Sequence, residues 1–205
     1  SIAGGTSPLL DARPIKKTAY VIVGADKGLA GAYSSNLAKF AEQTFADKDK
    51  SAIEIIASGR KVVDHFASRG YTVSAKFTGY SDKPEYSDAR ALMREAQNQF
   101  LAGQVDEVVL VYTKFVNSMT QIPTQERLLP VTPPEGNQEG GAYFYMPGEE
   151  EVLTALLPQY LESSVFNGHL QAAASELGSR MTAMTSATDN ASELIGKLSL
   201  EYNKL

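Results

Sequence analysis

The sequence predicts an α/β fold: a mostly parallel sheet with flanking helices, plus a long C-terminal helix that would form half of an antiparallel coiled coil. Three observations predict it. Between Thr18 and Tyr112, short runs rich in β-branched and aromatic residues alternate with amphipathic helical stretches. The alternation then stops, and a proline- and glycine-rich segment intervenes. From Leu170 to Leu205, apolar and small residues recur in unbroken steps of four and three.

Taken in order, residues 1–17 read as a lead-in linker, irregular because of Gly4-Gly5, Pro8 and Pro14. Thr18 to Gly24 (TAYVIVG) is a buried strand. A glycine-bearing turn, Ala25 to Gly31, leads into a helix from about Tyr33 to Ala46. Ser51 to Ala57 is a second strand, followed by a helix that carries Val62, Val63 and Phe66 and ends at Gly70. Thr72 to Phe77 is a third strand, Tyr86 to Ala102 a helix stopped by Gly103, and Val105 to Tyr112 a fourth strand. Such strand–helix alternation gives a parallel, Rossmann-like sheet with helices on both faces. Lys114 to Thr124 is polar and broken by Pro123. Arg127 to Val131 is a fifth strand, too close to the fourth for a helical crossover and so antiparallel. Thr132 to Ala142 is a proline- and glycine-rich loop, and Tyr143 to Pro147 (YFYMP) an aromatic patch that is either loop core or an exposed contact surface, its exit from a glycine-rich loop favouring contact. The globular domain is thus 18–147 and the terminal helix 148–205, opened by three glutamates that suit a helix N-terminus.

The first part of that helix offers the sheet a broad apolar face of Leu153, Leu156, Leu157, Tyr160, Leu161, Val165 and Phe166. Asn167-Gly168 is expected to bend it. The seam then runs Leu170, Ala174, Leu177, Met181, Met184, Thr188, Ala191, Ile195, Leu198, Tyr202, Leu205. This is the period of about 3.5 residues of a left-handed coiled coil. Glu176, Arg180, Asp189, Asn190, Glu193, Lys197 and Glu201 fall between seam positions, on faces expected to be wet. At 1.5 Å per residue the stretch is roughly 50 Å long. A domain of the preceding length is roughly 35–40 Å across. The helix is therefore expected to overhang its domain, where its seam needs a partner.

Composition narrows the function. The chain has 205 residues, 43% hydrophobic and 21% charged, with a net charge of −5. No basic block is present, which argues against nucleic acid. No apolar run reaches the roughly 18 residues of a membrane span. Ser1 to Thr6 has neither the basic region nor the apolar core of a signal peptide. There is no cysteine, and the two histidines, His65 and His169, lie far apart.

The turn after the first strand invites a nucleotide-binding reading that its spacing does not support. A Walker loop needs Lys-Ser or Lys-Thr after its last glycine, and Gly28 is followed by Leu29. A dinucleotide fingerprint needs a Gly-x-Gly pair, and the glycines are Gly24, Gly28 and Gly31. Asp26 stands where a catalytic carboxylate could sit, but no second acid, nucleophile or base is tied to it. The turn residues Asp26, Gly28, Leu29 and Gly31 are accordingly read as structural. No metal, cofactor or catalytic residue is expected.

Two separated motifs carry a resemblance. Asp26-x-Gly28-Leu29-x-Gly31-Ala32 with Asn36 resembles the turn of the gamma subunit of rotary ATP synthases. Ala174-Ser175-Glu176, Arg180-Met181-x-Ala183-Met184, Ala187-Thr188-Asp189-Asn190-Ala191 and Leu200-x-Tyr202-Asn203-Lys204 resemble that family's C-terminal helix. Asn117-Ser118-Met119-Thr120-Gln121-x-Pro123, Leu128-Leu129-Pro130 and Tyr143-x-Tyr145-x-Pro147 also fit. The resemblance implies a non-catalytic central-stalk rotor of a proton-translocating ATP synthase. Its two-helix axle would turn inside a head of alpha and beta subunits, with the α/β domain as a foot on the epsilon subunit and the c-subunit ring, at the cytoplasmic face of the bacterial membrane. It implies that Arg180, Met181, Met184, Asp189 and Asn190 meet the catalytic head, and that Tyr143, Tyr145 and Met146 meet epsilon and the c ring. The seam's partner would be an antiparallel N-terminal helix of the same subunit, missing from this stretch, and the C-terminal helix would end short of the family's tip. Charge inversion at Arg180 is expected to disturb coupling while leaving the domain folded. Two other readings stand beside this: an α/β enzyme with a helical dimerisation tail, and a scaffold that pairs with itself through the C-terminal helix.

Overall fold

The computed structural model describes residues 7–132 and 149–204. Its elements are β1 (Thr18–Val23), α1 (Tyr33–Thr44), β2 (Ile53–Ser58), α2 (Arg60–Ser68), β3 (Thr72–Phe77), α3 (Tyr86–Leu101), β4 (Glu107–Asn117), β5 (Thr120–Leu129) and α4 (Glu149–Tyr202). One five-stranded sheet runs in the order β3-β2-β1-β4-β5. The first four are parallel and β5 is antiparallel to β4. Every residue of β1 and β2 is buried, as central strands covered on both faces must be. On one face Leu37 and Ala41 of α1, Phe45 just past its end, and Val62 and Phe66 of α2 pack on Tyr20, Ile22, Ile55 and Val111. On the other, Leu92, Met93, Ala96 and Phe100 of α3 and Leu161, Val165 and Ala172 of α4 pack on Val21, Ile56, Val108 and Leu110. Each large apolar side chain buried this way stabilises the fold by about 1.5–3 kcal/mol.

The antiparallel fifth strand is present but begins seven residues before the expected Arg127, at Thr120. β4 likewise continues to Asn117, and the two form a long hairpin turning at Ser118-Met119. Its outer half is exposed on one face, so it lacks the continuous apolar run that marks a central strand. Pro123 fits because, among the described residues, β5 is an edge strand with no neighbour beyond it.

α4 runs without interruption from Glu149 through Tyr202, across Asn167-Gly168 and with Pro158 inside it; Leu156 and Tyr160, expected on its sheet-facing side, are instead exposed, at 51% and 57%. Gly168 permits a close approach, since a Cβ at that position would lie 3.2 Å from Leu110 Cδ2. The described part of the lead-in, from Ser7, is strapped to the domain. Leu9 is in the core, and its carbonyl accepts the Val131 N–H at 2.8 Å. Arg13 pairs with Asp106 at 2.8 Å and lies over the Phe100 ring. Tyr143, Tyr145 and Met146 fall outside the described residues.

Candidate functional site

The two motifs that stand out in the sequence meet in space, at the place where α4 leaves the sheet. β1 ends there in a narrow gap. A Cβ on Gly24 would lie 2.5 Å from a Val62 methyl. One on Gly59, where φ is +106°, would lie 2.7 Å from the Gly24 carbonyl oxygen, so the two backbones touch as only glycine allows. Asp26 follows. Its Oδ1 accepts the backbone N–H of Arg60, at the start of α2, at 3.0 Å. Its Oδ2 accepts those of Gly79 and Ser81 at 2.9 and 3.1 Å. The carboxylate thus occupies the helix N-terminus where related sheets hold a ligand's phosphate. It ties the ends of β1, β2 and β3 together. The space beside it, lined by Gly24, Ala25, Ser34, Lys61 and His65 among others, is about 10 Å³. A small-molecule site takes roughly 300 Å³ or more. This arrangement braces the turn; it is not built for turnover.

Beyond Asp26 the chain turns through Leu29, left-handed at φ 61° with its side chain 88% exposed, and Gly31, at φ 58°. α4 grips this turn. Ser179 Oγ donates to the Ala30 carbonyl at 2.7 Å, and Arg180 donates to the Gly28 carbonyl at 3.3 Å. A Cβ on Gly31 would rest 3.5 Å from Ser179 Oγ and 3.6 Å from Ala183. Arg180 also pairs with the buried Glu176 at 2.9 Å. On the other side of α4, Thr182 donates to the Ser118 carbonyl at 2.9 Å and Gln171 accepts the Phe115 N–H at 2.9 Å. Gly178 lets the hairpin come within 3.2 Å of where its Cβ would be. Ser175 donates to the Thr113 carbonyl, and Tyr33 to the Ala172 carbonyl. Burial, and then the Glu176 charge, push the Tyr33 phenol well above its ordinary range. The helix therefore leaves the domain through a fork, one prong being the Gly28–Gly31 turn and the other the hairpin tip.

Past the fork α4 stands free: every residue from Met184 to Lys204 is exposed. Over the 19 residues from Met184 to Tyr202 it extends roughly 27 Å. The seam is open along this length and already open below it, with Leu177 56% and Met184 57% exposed. Met181, Asp189 and Asn190 are also exposed. Arg180 is turned inward on Glu176 and Gly28, so inverting its charge would disturb the domain itself. The expectation that Glu176 lies on a wet face is corrected: it is buried against the fork. The residues that seat α4 were missed because they are polar or small. Gly168, Ala172, Ser175, Ser179 and Thr182 repeat in steps of four and three, and that second stripe is the signal that could have found them.

Comparison with known proteins agrees with this geometry. The family described as ATP synthase matches residues 1–205. The ATP synthase gamma chain of Brevibacillus brevis is 44% identical over 211 residues, covering 100% of this chain and 74% of its own length. That of Moorella thermoacetica is 43% identical over 199 residues, covering 97% and 70%. The chain belongs to the ATP synthase gamma chain family. As a gamma chain it is a central-stalk, rotary subunit of an ATP synthase and not itself catalytic, and its partners are other subunits of that complex. Solved structures carry the same fold. The central stalk and c ring of Tetrahymena thermophila mitochondrial ATP synthase matches with a TM-score of 0.70 at 23% identity, covering 87% of this chain and 79% of that one. The rotor of Euglena gracilis mitochondrial ATP synthase matches with a TM-score of 0.70 at 17% identity, covering 96% and 79%. Among the described residues, no helix of this gamma chain is long and apolar enough to cross a membrane.

Proposed function

We propose that the exposed seam of α4 pairs with an antiparallel N-terminal helix of the same subunit, and that the resulting axle turns inside a head of alpha and beta subunits. In this reading Met181, Met184, Asp189 and Asn190, with Arg180 at the fork, face the catalytic subunits. Tyr143, Tyr145 and Met146 meet the epsilon subunit and the c-subunit ring. The subunit sits peripherally on the cytoplasmic face of a bacterial membrane and is turned by proton flux. An asymmetric shaft makes different contacts with each catalytic subunit and so biases their conformations differently. The observation that carries this reading is the apolar seam left open for the whole free length of α4. A stripe of that size in water favours a partner.

Hydrogen exchange tests it. In the isolated chain, amides from 184 to 202 should exchange nearly as fast as in a peptide. Reconstituted with the N-terminal helix and the catalytic head, they should slow by about 100-fold or more. Equal rates in both states would remove the axle reading. Calorimetry of the isolated chain should show no micromolar ATP binding, and such binding would favour an enzyme instead.

A further inference from the structure

Beneath the fork lies a buried polar chain that the rotary reading does not use. His169, on the seated part of α4, is 2% exposed. Its Nε2 lies 3.2 Å from Ser58 Oγ, at the end of β2. Ser58 Oγ lies in turn 2.7 Å from the Tyr80 hydroxyl, in the loop between β3 and α3. The Tyr80 ring meets the His169 ring edge-on, with centroids 5.2 Å apart. The two amides that Asp26 Oδ2 accepts, those of Gly79 and Ser81, flank Tyr80. Asp26 at the turn is thereby linked to α4 through Tyr80, Ser58 and His169. The chain is incomplete at one atom: His169 Nδ1 is buried with no hydrogen-bond partner.

That gap makes the imidazole asymmetric. A neutral ring tolerates the pocket, because one nitrogen meets Ser58 and the other need only be a bare lone pair. A protonated ring carries an N–H on both nitrogens, and the second would have no acceptor in a site closed to water. We propose that His169 is an acid-sensitive pin: taking up one proton releases the seated half of α4 from the end of β2 and from the Tyr80 loop.

The surrounding charges do not supply the missing acceptor. Asp88 of α3 favours the protonated ring, but burial outweighs it and holds His169 down at about 4. On α4, Glu162 is taken by the Tyr86 hydroxyl at 2.9 Å and faces Arg90 at 3.8 Å, while Glu176 is taken by Arg180. Asp26 is engaged by backbone amides. Tyr80, pushed up to about 12 chiefly by burial, is neutral throughout the acid range. Tyr33 of α1 and Tyr112 of β4, also raised by burial, are neutral there too. In a rotor the seated half of α4 joins the sheet to the shaft, so the pin makes that joint sensitive to acid. The inference concerns the foot alone and does not depend on which subunits the shaft meets.

The histidine's folded value lies below its ordinary 6.5, so the unfolded chain binds the extra proton first. The stabilisation is complete above about pH 6.5 and is lost as pH falls toward 4. The full loss is about 300-fold in the folded-to-unfolded ratio, tenfold per pH unit. Two measurements on the whole chain test this. An NMR titration should keep the His169 ring neutral down to about pH 4 while the chain is folded. A midpoint near 6.5 in the folded chain would overturn the proposal. Amide exchange around His169, corrected for intrinsic rate, should accelerate on acidification before that of β1; equal acceleration would also overturn it. His169→Gln, which cannot titrate, should flatten the slope of stability between pH 6.5 and 4. An unchanged slope in that variant counts against the pin.

Discussion

The lower and upper halves of α4 share one helix, one repeat length and one composition class, yet they do opposite things. From Leu161 to Ala183 the helix lies on the sheet and is held by Gln171, Ser175, Ser179, Arg180 and Thr182, each bonded to a backbone group of the β1 turn or the β4–β5 hairpin or, for Arg180, also to Glu176. From Met184 through Lys204 every residue is exposed. The apolar seam does not change face between the halves: it points away from the domain in both, as the exposed Leu170 and Leu177 show. The face that binds the domain is the small and polar one. Strong apolar periodicity here marks the surface kept for a partner, and directional hydrogen bonds with close backbone approach hold the helix to its own foot.

The largest expected effect breaks the seated half. Arg180→Glu would set a second carboxylate against buried Glu176, where the guanidinium now lies at 2.9 Å. We expect about 3 kcal/mol of lost stability in urea unfolding of the isolated chain. Arg180→Lys should cost much less. A fully stable Arg180→Glu protein would show that the inward pairing is not what seats the helix.

The glycines sharpen the same contrast, because the two halves should respond with opposite signs. At Gly178 a Cβ already meets the Ser118 Cα at 3.2 Å, so Gly178→Val should destabilise by about 2 kcal/mol. At Gly196 a Cβ meets nothing within 4 Å. Gly196→Ala should therefore strengthen the free half by about 1 kcal/mol, read as higher far-ultraviolet helicity with an unchanged unfolding midpoint. Destabilisation at both positions would mean that the upper half packs on something after all.

Much of the fold was legible because its signals are local. β1, β2 and the inner part of β4 are largely apolar runs, β3 alternates apolar and polar residues, and α1 to α3 carry their periodicity and stop signals where the structure has them, Gly70 at φ 81° and Gly103 at φ 74° among them. The overhang of α4 was legible from length alone. The hairpin tip was not, because strands exposed on one face and crossed by Pro123 at an edge carry no burial pattern. The close approach at Gly168 was hidden for a related reason: a glycine looks the same in sequence whether it bends a helix or lets a neighbour come close. At the fork the sequence showed both motifs but not that they touch. Ser179 and Ala30 are separated by 149 positions, and nothing local records a bond between a hydroxyl and a distant carbonyl. Glu176 looked wet because an isolated acid usually is. Its burial follows from Arg180 one turn on, a pairing of the i, i+4 kind that was visible but also fits an exposed face.

The smallest expected effect isolates the free half. Leu198 is exposed on the free half, so Leu198→Gln should change the stability of the isolated chain by less than about 0.5 kcal/mol. In an assembled axle the same side chain would lie in the seam, where a polar amide facing a second helix is unfavourable. Rotary ATP hydrolysis coupled to ion pumping should then fall at elevated temperature, where the weakened pair frays first. The pairing of effects is the test: a change in the isolated chain would contradict the free half as described, and full coupling in the complex would show that the seam near Leu198 is not covered by another helix.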